Sequence, residues 1–472
     1  MATVAVTTVS DGRDYVHREI EFFGLEVQAR IVAALEGLGH TVVTPGTDIS
    51  SNEAAVGIAR ELAALHPDLT LLNIPVWAFP HFTMLAARQT VGPLALFSNI
   101  DPTYPGMVGM LAAGGGLDQI GRTHERLWGD VDDQRVRARL DALARAGAGA
   151  NALQGSTFGR IGGRPMGMYT AVASTETWLS KFGIDVEEID QYELVRRSAD
   201  VSKDAVTDAR HWLETHAAGV HYDGVRLTPE LLERQIRVYY VMKQLVDEWS
   251  LDFCGIKGQP EMTSSWCTTD VAEAFLNDPY DWEGPKETIV CSTEADMDAA
   301  LTMQILKHVS ATPVLFADVR HYHADLETWD LCNSGQHATW FAARSDDPAE
   351  NLARVHLYPE IFYFPAGGAS VAHVAAPGEM TFARLTRLDG RYRMQVLGGS
   401  FVEFDSDTTN RLTQASTPEW PHAFARFDAS ADEILSRFGS NHIHAVPGDR
   451  VTELRAVCRF LDIDFDGFGP LR

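Results

Sequence analysis

Residues 287–323, ETIVCSTEADMDAALTMQILKHVSATPVLFADVRHYH, decide how the chain is read. An apolar run over 288–291 ends in a turn that carries Glu294. Asp296 then stands where a helix N-cap belongs, ahead of apolar positions that recur at helical spacing as Met297, Leu301, Ile305 and Val309. Lys307 and His308 close the last turn, where positive charge suits the helix dipole. A second apolar run, 313–317, ends in Asp318. The pattern predicts one βαβ unit with parallel strands. Both carboxylates then leave from the same edge of the sheet, the edge where open α/β sheets bind ligands. An acid after a strand is also a common helix cap or solvated loop residue, so the pair marks a site without naming its reaction.

Composition limits the partners. The chain has 472 residues, enough for several domains and a large core. With 39 Lys plus Arg against 65 Asp plus Glu, the formal charge is −26. This balance argues against nucleic acid or an anionic membrane as a partner and reads chiefly as solubility. A small anionic substrate held by a few local arginines stays compatible with it. The five cysteines, Cys254, Cys267, Cys291, Cys332 and Cys458, form no CxxC pair. They read as buried thiols of a reducing cytoplasm, not as a disulfide frame or a zinc site. The opening MATVAVTTVSDGRD lacks a basic segment followed by a long apolar one, so no signal peptide is expected. No apolar run approaches the roughly 20 residues of a membrane span.

Residues 1–130 alternate between apolar runs and amphipathic segments. Strands are expected over 4–9, 40–44, 69–75 and 91–97, and helices over 21–38, 53–65 and 83–88. Such alternation implies a doubly wound parallel sheet. No GxGxxG follows the first strand, which leaves a dinucleotide site unsupported, and the glycines 114–116 read as a loop. A charged helix over 130–145 is followed by AGAGA (146–150), which reads as a linker. A second α/β unit begins there. It holds a Gly-rich loop, FGRIGGRPMGM (158–168), without a phosphate-binding GK[ST], and a long core helix over 228–251. After Asp318, alternation at strand period takes over. Segments 329–332, 361–364, 380–388, 392–397 and 401–404 read as strands, and Asp389-Gly390 as a hairpin turn. The expected architecture is α/β: two doubly wound, Rossmann-like α/β domains (1–152 and 153–308) plus a C-terminal antiparallel β-rich, barrel-like domain (309–472).

Two carboxylates with one histidine suit a hard divalent cation such as Mn²⁺ or Mg²⁺ better than zinc, which prefers sulfur and nitrogen. The chain has 17 histidines, and spacing alone does not choose between His442 and His337 as the third ligand. His321, His323 and His444 read as ordinary polar residues.

The motifs IKGQ (256–259), STEADMDAALTMQILKH (292–308), LFADVR (315–320), CNSGQ (332–336) and SNHIH (440–444) resemble the L-fucose isomerase and L-arabinose isomerase family of metal-dependent aldose–ketose isomerases. Fainter echoes are SDGR (10–13) and GGRPMGMY (162–169), and the likeness is greater to the fucose isomerase branch. The resemblance implies that Glu294 and Asp318 are both metal ligands and proton-transfer groups, with His442 as the third ligand of Mn²⁺, or of Mg²⁺ or Co²⁺. It implies Gln259, Ser334 and Asn441 as polar contacts to a sugar. It implies a homo-oligomer, a hexamer, in which Arg13, Trp77 and Met166 reach a neighbouring subunit's site. The expected reaction interconverts an aldose and its ketose by proton transfer between C1 and C2 through an enediolate. The competing readings are a metal-dependent lyase or epimerase acting on a sugar or sugar acid, and a non-catalytic sugar-binding protein. Which aldose is used, neutral or anionic, is left open.

Overall fold

The computed structural model describes residues 1–334 and 336–471; Gly335, within the CNSGQ motif, lies outside the described residues. The chain divides into two compact units, residues 1–154 with 452–464, and residues 155–451 with those from 465 onward.

In the first unit five strands pair in parallel, in the order Thr41–Val43, Thr3–Thr8, Leu69–Asn73, Leu94–Ser98 and Glu125–Trp128. Leu69–Asn73 and Leu94–Ser98 are buried at every position, as central strands of a parallel sheet are when helices cover both faces. Two glycine-rich runs expected outside helices are helical. Residues 114–116 belong to the helix Gly106–Gln119, and the AGAGA run belongs to Gln134–Asn151. Small residues serve close approach there: a Cβ on Gly147 would stand 2.6 Å from the carbonyl oxygen of Asp68.

In the second unit a four-stranded parallel sheet runs in the order Cys291–Thr293, Phe253–Ile256, Thr157–Ile161 and Asp185–Ile189. Six antiparallel strands form a second sheet, in the order Gly378–Leu388, His442–Pro447, Leu315–His323, Thr328–Cys332, His422–Phe427 and Arg391–Phe401. The last of these pairs back with the first across the Asp389–Gly390 turn, which closes the ring and leaves few open edges. Asp464–Phe468 adds a seventh strand beside Arg391–Phe401. The α/β class with a strand-rich C-terminal sheet is as expected. Segments 361–364 and 401–404 form no strands of their own. The chain pairs His356–Pro359 with Ala369–Ala372 instead, and Phe401 ends the longer strand.

The expected βαβ unit is not what joins Glu294 to Asp318. Cys291–Thr293 lies in the parallel sheet, whereas Leu315–His323 lies in the closed antiparallel one. The intervening helix explains the difference. Met297–Ser310 is buried around most of its circumference, and it packs against strands of both sheets. A helix apolar on all sides is an interior helix, not the cover of one sheet. Thr302 ties it to the ring: its hydroxyl donates to the Asp298 carbonyl at 2.6 Å and accepts the Leu385 amide at 2.9 Å. The strand ends shift as well. The strand before Glu294 is Cys291–Thr293, and Leu315–His323 runs past Asp318 with a bulge between Val319 and His321.

Trp178 joins the parallel sheet to the hairpin of the ring. It sits on the helix Thr175–Phe182, which Ser174 caps at one end and Gly183, at φ 71°, ends at the other. The fully buried indole packs on Phe158 and Phe253, and its Nε1 donates to the Tyr392 hydroxyl at 3.0 Å. Trp178→Ala is expected to cost about 3–5 kcal/mol in urea unfolding. A loss below about 1 kcal/mol would show that this contact does not carry the junction.

Candidate active site

Asp318 and His442 are paired residues on neighbouring antiparallel strands, so their side chains leave the same face of the ring side by side. Glu294 reaches them from the turn that ends the parallel strand. His442 Nε2 lies 3.0 Å from Glu294 Oε2 and 3.5 Å from Asp318 Oδ1. Three residues far apart in sequence thus meet at one point.

The turn that delivers Glu294 is strained. Glu294 and Ala295 both adopt left-handed backbone, at φ 57° and 46°, a conformation that costs an L-residue about 1–2 kcal/mol. The Ala295 amide donates to Ile256 O at 2.9 Å and the Asp296 amide to Thr293 O at 3.2 Å, which pins the turn over the adjacent strand. Gly255 makes room for it: a Cβ there would stand 3.0 Å from Ala295 Cα. Strain held by surrounding structure is typical of functional positions.

Each carboxylate is oriented by amides. Asn441 Nδ2 donates to Asp318 Oδ1 at 2.9 Å and Asn333 Nδ2 to Asp318 Oδ2 at 3.0 Å. Gln259 Nε2 donates to Glu294 Oε1 at 3.3 Å. Ser334 is buried, its hydroxyl donating to Asn333 Oδ1 at 2.9 Å. Gln259, Ser334 and Asn441 therefore do gather around the acids. Met166 does not: it lies on a loop of the same unit, exposed, at φ 38°. Arg13 and Trp77 belong to the first compact unit. There Arg13 forks onto the buried Asp11 with contacts of 2.9 and 2.6 Å. His337 is buried with neither ring nitrogen hydrogen-bonded, and its ring centroid stands 6.0 Å from that of His373. Burial, with help from neighbouring histidines, holds it well below the usual histidine range.

From the sequence Asp296 is expected only as a helix cap. It does cap, accepting the Ala299 amide at 2.9 Å. Its other oxygen lies 2.6 Å from His442 Nδ1 and 2.9 Å from Arg384 Nη1. Arg384 Nη2 also donates to the Thr170 carbonyl at 3.0 Å. Burial opposes charge on Asp296, yet Arg384 and His442 outweigh it and hold the carboxyl well below the usual range. Burial likewise opposes charge on His442, but the Asp296 and Glu294 carboxylates, which accept from its ring, push its imidazole up to about 10. Asp318 is raised, first by burial and then by Glu294, with His442 pulling the other way.

Among the described residues no group of three or more His, Cys, Asp or Glu side chains is spaced as a ready-made metal site. Glu294, Asp318 and His442 instead meet as an ion-paired cluster. Their chemistry nevertheless fits a hard divalent cation. Two carboxylates supply oxygen donors. His442 Nε2 faces Glu294 and Asp318 at 3.0 and 3.5 Å, while Nδ1 is committed to Asp296, the arrangement that presents the outer nitrogen of a metal-binding histidine.

Behind Glu294 lies another acid that sequence reading missed. Glu273, on the buried helix Asp270–Asn277, accepts from Thr269 Oγ1 at 2.6 Å. Burial pushes it up to about 7 against the hydrogen bonds of Thr269 and Thr293, with the Glu294 charge adding to the rise.

Comparison with known proteins matches three consecutive models of one family: L-fucose isomerase, first N-terminal domain, over residues 1–155; second N-terminal domain, over 250–311; and C-terminal domain, over 331–468. The chain is similar to the L-fucose isomerase of Escherichia coli O9:H4 (strain HS), with 24% identity over 93% of this chain and 88% of that protein. The same identity and coverage hold for the L-fucose isomerase of Escherichia coli (strain K12 / DH10B).

Glu273 binds its proton more tightly folded than unfolded, so its contribution lowers stability as pH climbs from about 4.5 to about 7 and then levels off. The shift corresponds to a loss on the order of 3 kcal/mol across that window. Glu273→Gln keeps an acceptor for Thr269 and should flatten this part of the pH profile in denaturant titrations. An equally steep decline in the variant would contradict the assignment.

Proposed function

The chain belongs to the L-fucose isomerase family, and from that premise we propose that Glu294, Asp318 and His442 form the active site of a divalent-metal-dependent aldose–ketose isomerase. The convergence of two amide-oriented carboxylates on a buried histidine whose far nitrogen is held by Asp296 is the observation that supports it most. We assign Mn²⁺ to the three side chains, with Mg²⁺ or Co²⁺ as substitutes.

Isomerisation asks for one group that carries a proton from C2 to C1 and a second that moves a proton between the hydroxyl oxygens. Glu294 and Asp318 supply the two carboxylates. One takes the proton from C2 and returns it to C1, with the carbon frame passing through an enediolate; the other exchanges the hydroxyl protons. Such proton transfer contributes roughly 10²–10⁴-fold. Asn333 and Asn441 hold both oxygens of Asp318, so it meets the sugar in one orientation. Burial and the Glu294 charge raise Asp318, which strengthens it as a base. A divalent ion, when bound, would polarise the sugar carbonyl and offset the charge developing on its oxygens. Gln259, Ser334 and Asn441 would hold sugar hydroxyls. Arg13, Trp77 and Met166 are assigned to the rim of a neighbouring subunit's site in a homo-oligomer, a role for which Met166 is suitably exposed. Five buried free thiols accord with a cytoplasmic enzyme. Among the described residues no helix is long and apolar enough to cross a membrane.

Thorough chelation should abolish aldose–ketose interconversion and Mn²⁺ should restore it, read by product identification across a panel of aldoses; activity indifferent to chelation rules out the scheme. Asp318→Asn should lower kcat by about 10³-fold or more with the melting temperature preserved, and a wild-type kcat would place the chemistry elsewhere. Asp296→Asn should weaken Mn²⁺ binding by about 10–100-fold through the loosened His442. Calorimetric titration checks this, and an unchanged affinity would leave Asp296 a helix cap only.

A further inference from the structure

A cavity of about 520 Å³ borders Arg384, and none of Glu294, Asp318 and His442 lines it. Arg164, Tyr169, Asp298, Arg384 and Arg387 line it, along with the Thr170 backbone segment. Three guanidiniums line the cavity, Arg387 paired with Asp298 and Arg384 with Asp296, which leaves an excess of one positive charge in a chain whose formal charge is −26. A local excess of positive charge on so acidic a molecule selects anions.

The guanidiniums are not used up by the protein. Arg384 is 1% exposed, and its Nε has no hydrogen-bond partner although Nη1 and Nη2 are engaged. Arg387 spends Nε on Asp298 at 2.9 Å and Nη2 on the Val172 carbonyl at 2.6 Å, and among the described residues no hydrogen bond of Nη1 is found. Arg164 is exposed, stacked 4.9 Å from the centroid of Tyr169, and has no carboxylate partner among the described residues. A buried guanidinium N–H without an acceptor is costly, and planar donor forks of this kind match tetrahedral oxyanions.

We propose that this cavity is a binding site for a phosphate-type oxyanion, either inorganic phosphate or the phosphate end of a small ester. Arg164 and Arg387 supply the adjustable donors, and the volume leaves room beside a phosphate for a small organic body. Arg384 also grips Asp296, so it belongs to the positioning of His442 and is not a suitable position for a test.

Calorimetric titration of inorganic phosphate into the full chain, without added metal and at constant ionic strength in chloride, tests the site. The wild type should bind about one phosphate per chain with a sub-millimolar Kd, and Arg164→Ala should weaken it about tenfold. Arg387→Lys keeps the charge opposite Asp298 but removes the fork, and should weaken binding by a similar factor with the melting temperature maintained. Glycerol 3-phosphate serves as the ester: tighter binding than phosphate identifies an organic phosphate as the occupant, and equal binding identifies the free ion. No binding at about 10 mM phosphate, or the same affinity in both variants, overturns the site. The measurement needs neither metal nor turnover, so its failure is distinct from failure of the isomerase reading.

Discussion

The carboxylate of Asp296 holds together everything that makes the site. One oxygen ends the helix Met297–Ser310, and the other is shared between His442 and Arg384. All three side chains are essentially out of solvent. Buried charges persist only when each is paired, and removal of one partner from such a set typically costs about 3–5 kcal/mol. The turn bearing Glu294, the interior helix and the ring strand bearing His442 are therefore locked to one another by charge as well as by packing. Had Asp296 been merely a cap, the helix could still form, but Nδ1 of the His442 ring would lose its partner.

This locking explains how two acids can stand beside each other in a protected place. Glu294 and Asp318 carry like charge, and burial of both would drive one to keep its proton. His442, raised to about 10, supplies the compensating positive charge in the protein alone. A cation held by the same three residues would take over that office and release the imidazole as a neutral donor. The backbone strain at Glu294 and Ala295 has the same sense: the turn is bent so that the acid faces the histidine across two different sheets, and hydrogen bonds to Ile256 and Thr293 hold it there.

Much of this was legible in the residues, and the parts that were not have identifiable causes. Asp296 as a cap, the helix after it, the alternating first unit and the strand-rich final third all follow from local periodicity and turn chemistry. Local pattern does not say which sheet a strand joins, so Cys291–Thr293 and Leu315–His323 read as partners although they are not. The clue lay in the helix between them, whose small and apolar residues continue around the side where a surface helix would be charged. Gly114 and the AGAGA run misled for a related reason, since glycine marks a loop only when nothing presses close against it. The pairing of Asp318 with His442 is a register between distant strands, and the grip of Arg384 on Asp296 is a contact between a strand and a turn. Neither leaves a periodic trace, and His442 entered through resemblance of the SNHIH motif alone.

The central claim is that Glu294, Asp318 and His442 grip one divalent ion together. Anomalous diffraction from crystals grown with Mn²⁺, collected on either side of the manganese absorption edge, tests it most directly. The account predicts a single strong peak per chain within bonding distance of His442 Nε2 and of a carboxylate oxygen from each acid. A peak elsewhere, or crystals saturated with Mn²⁺ that show none between these three side chains, would contradict it.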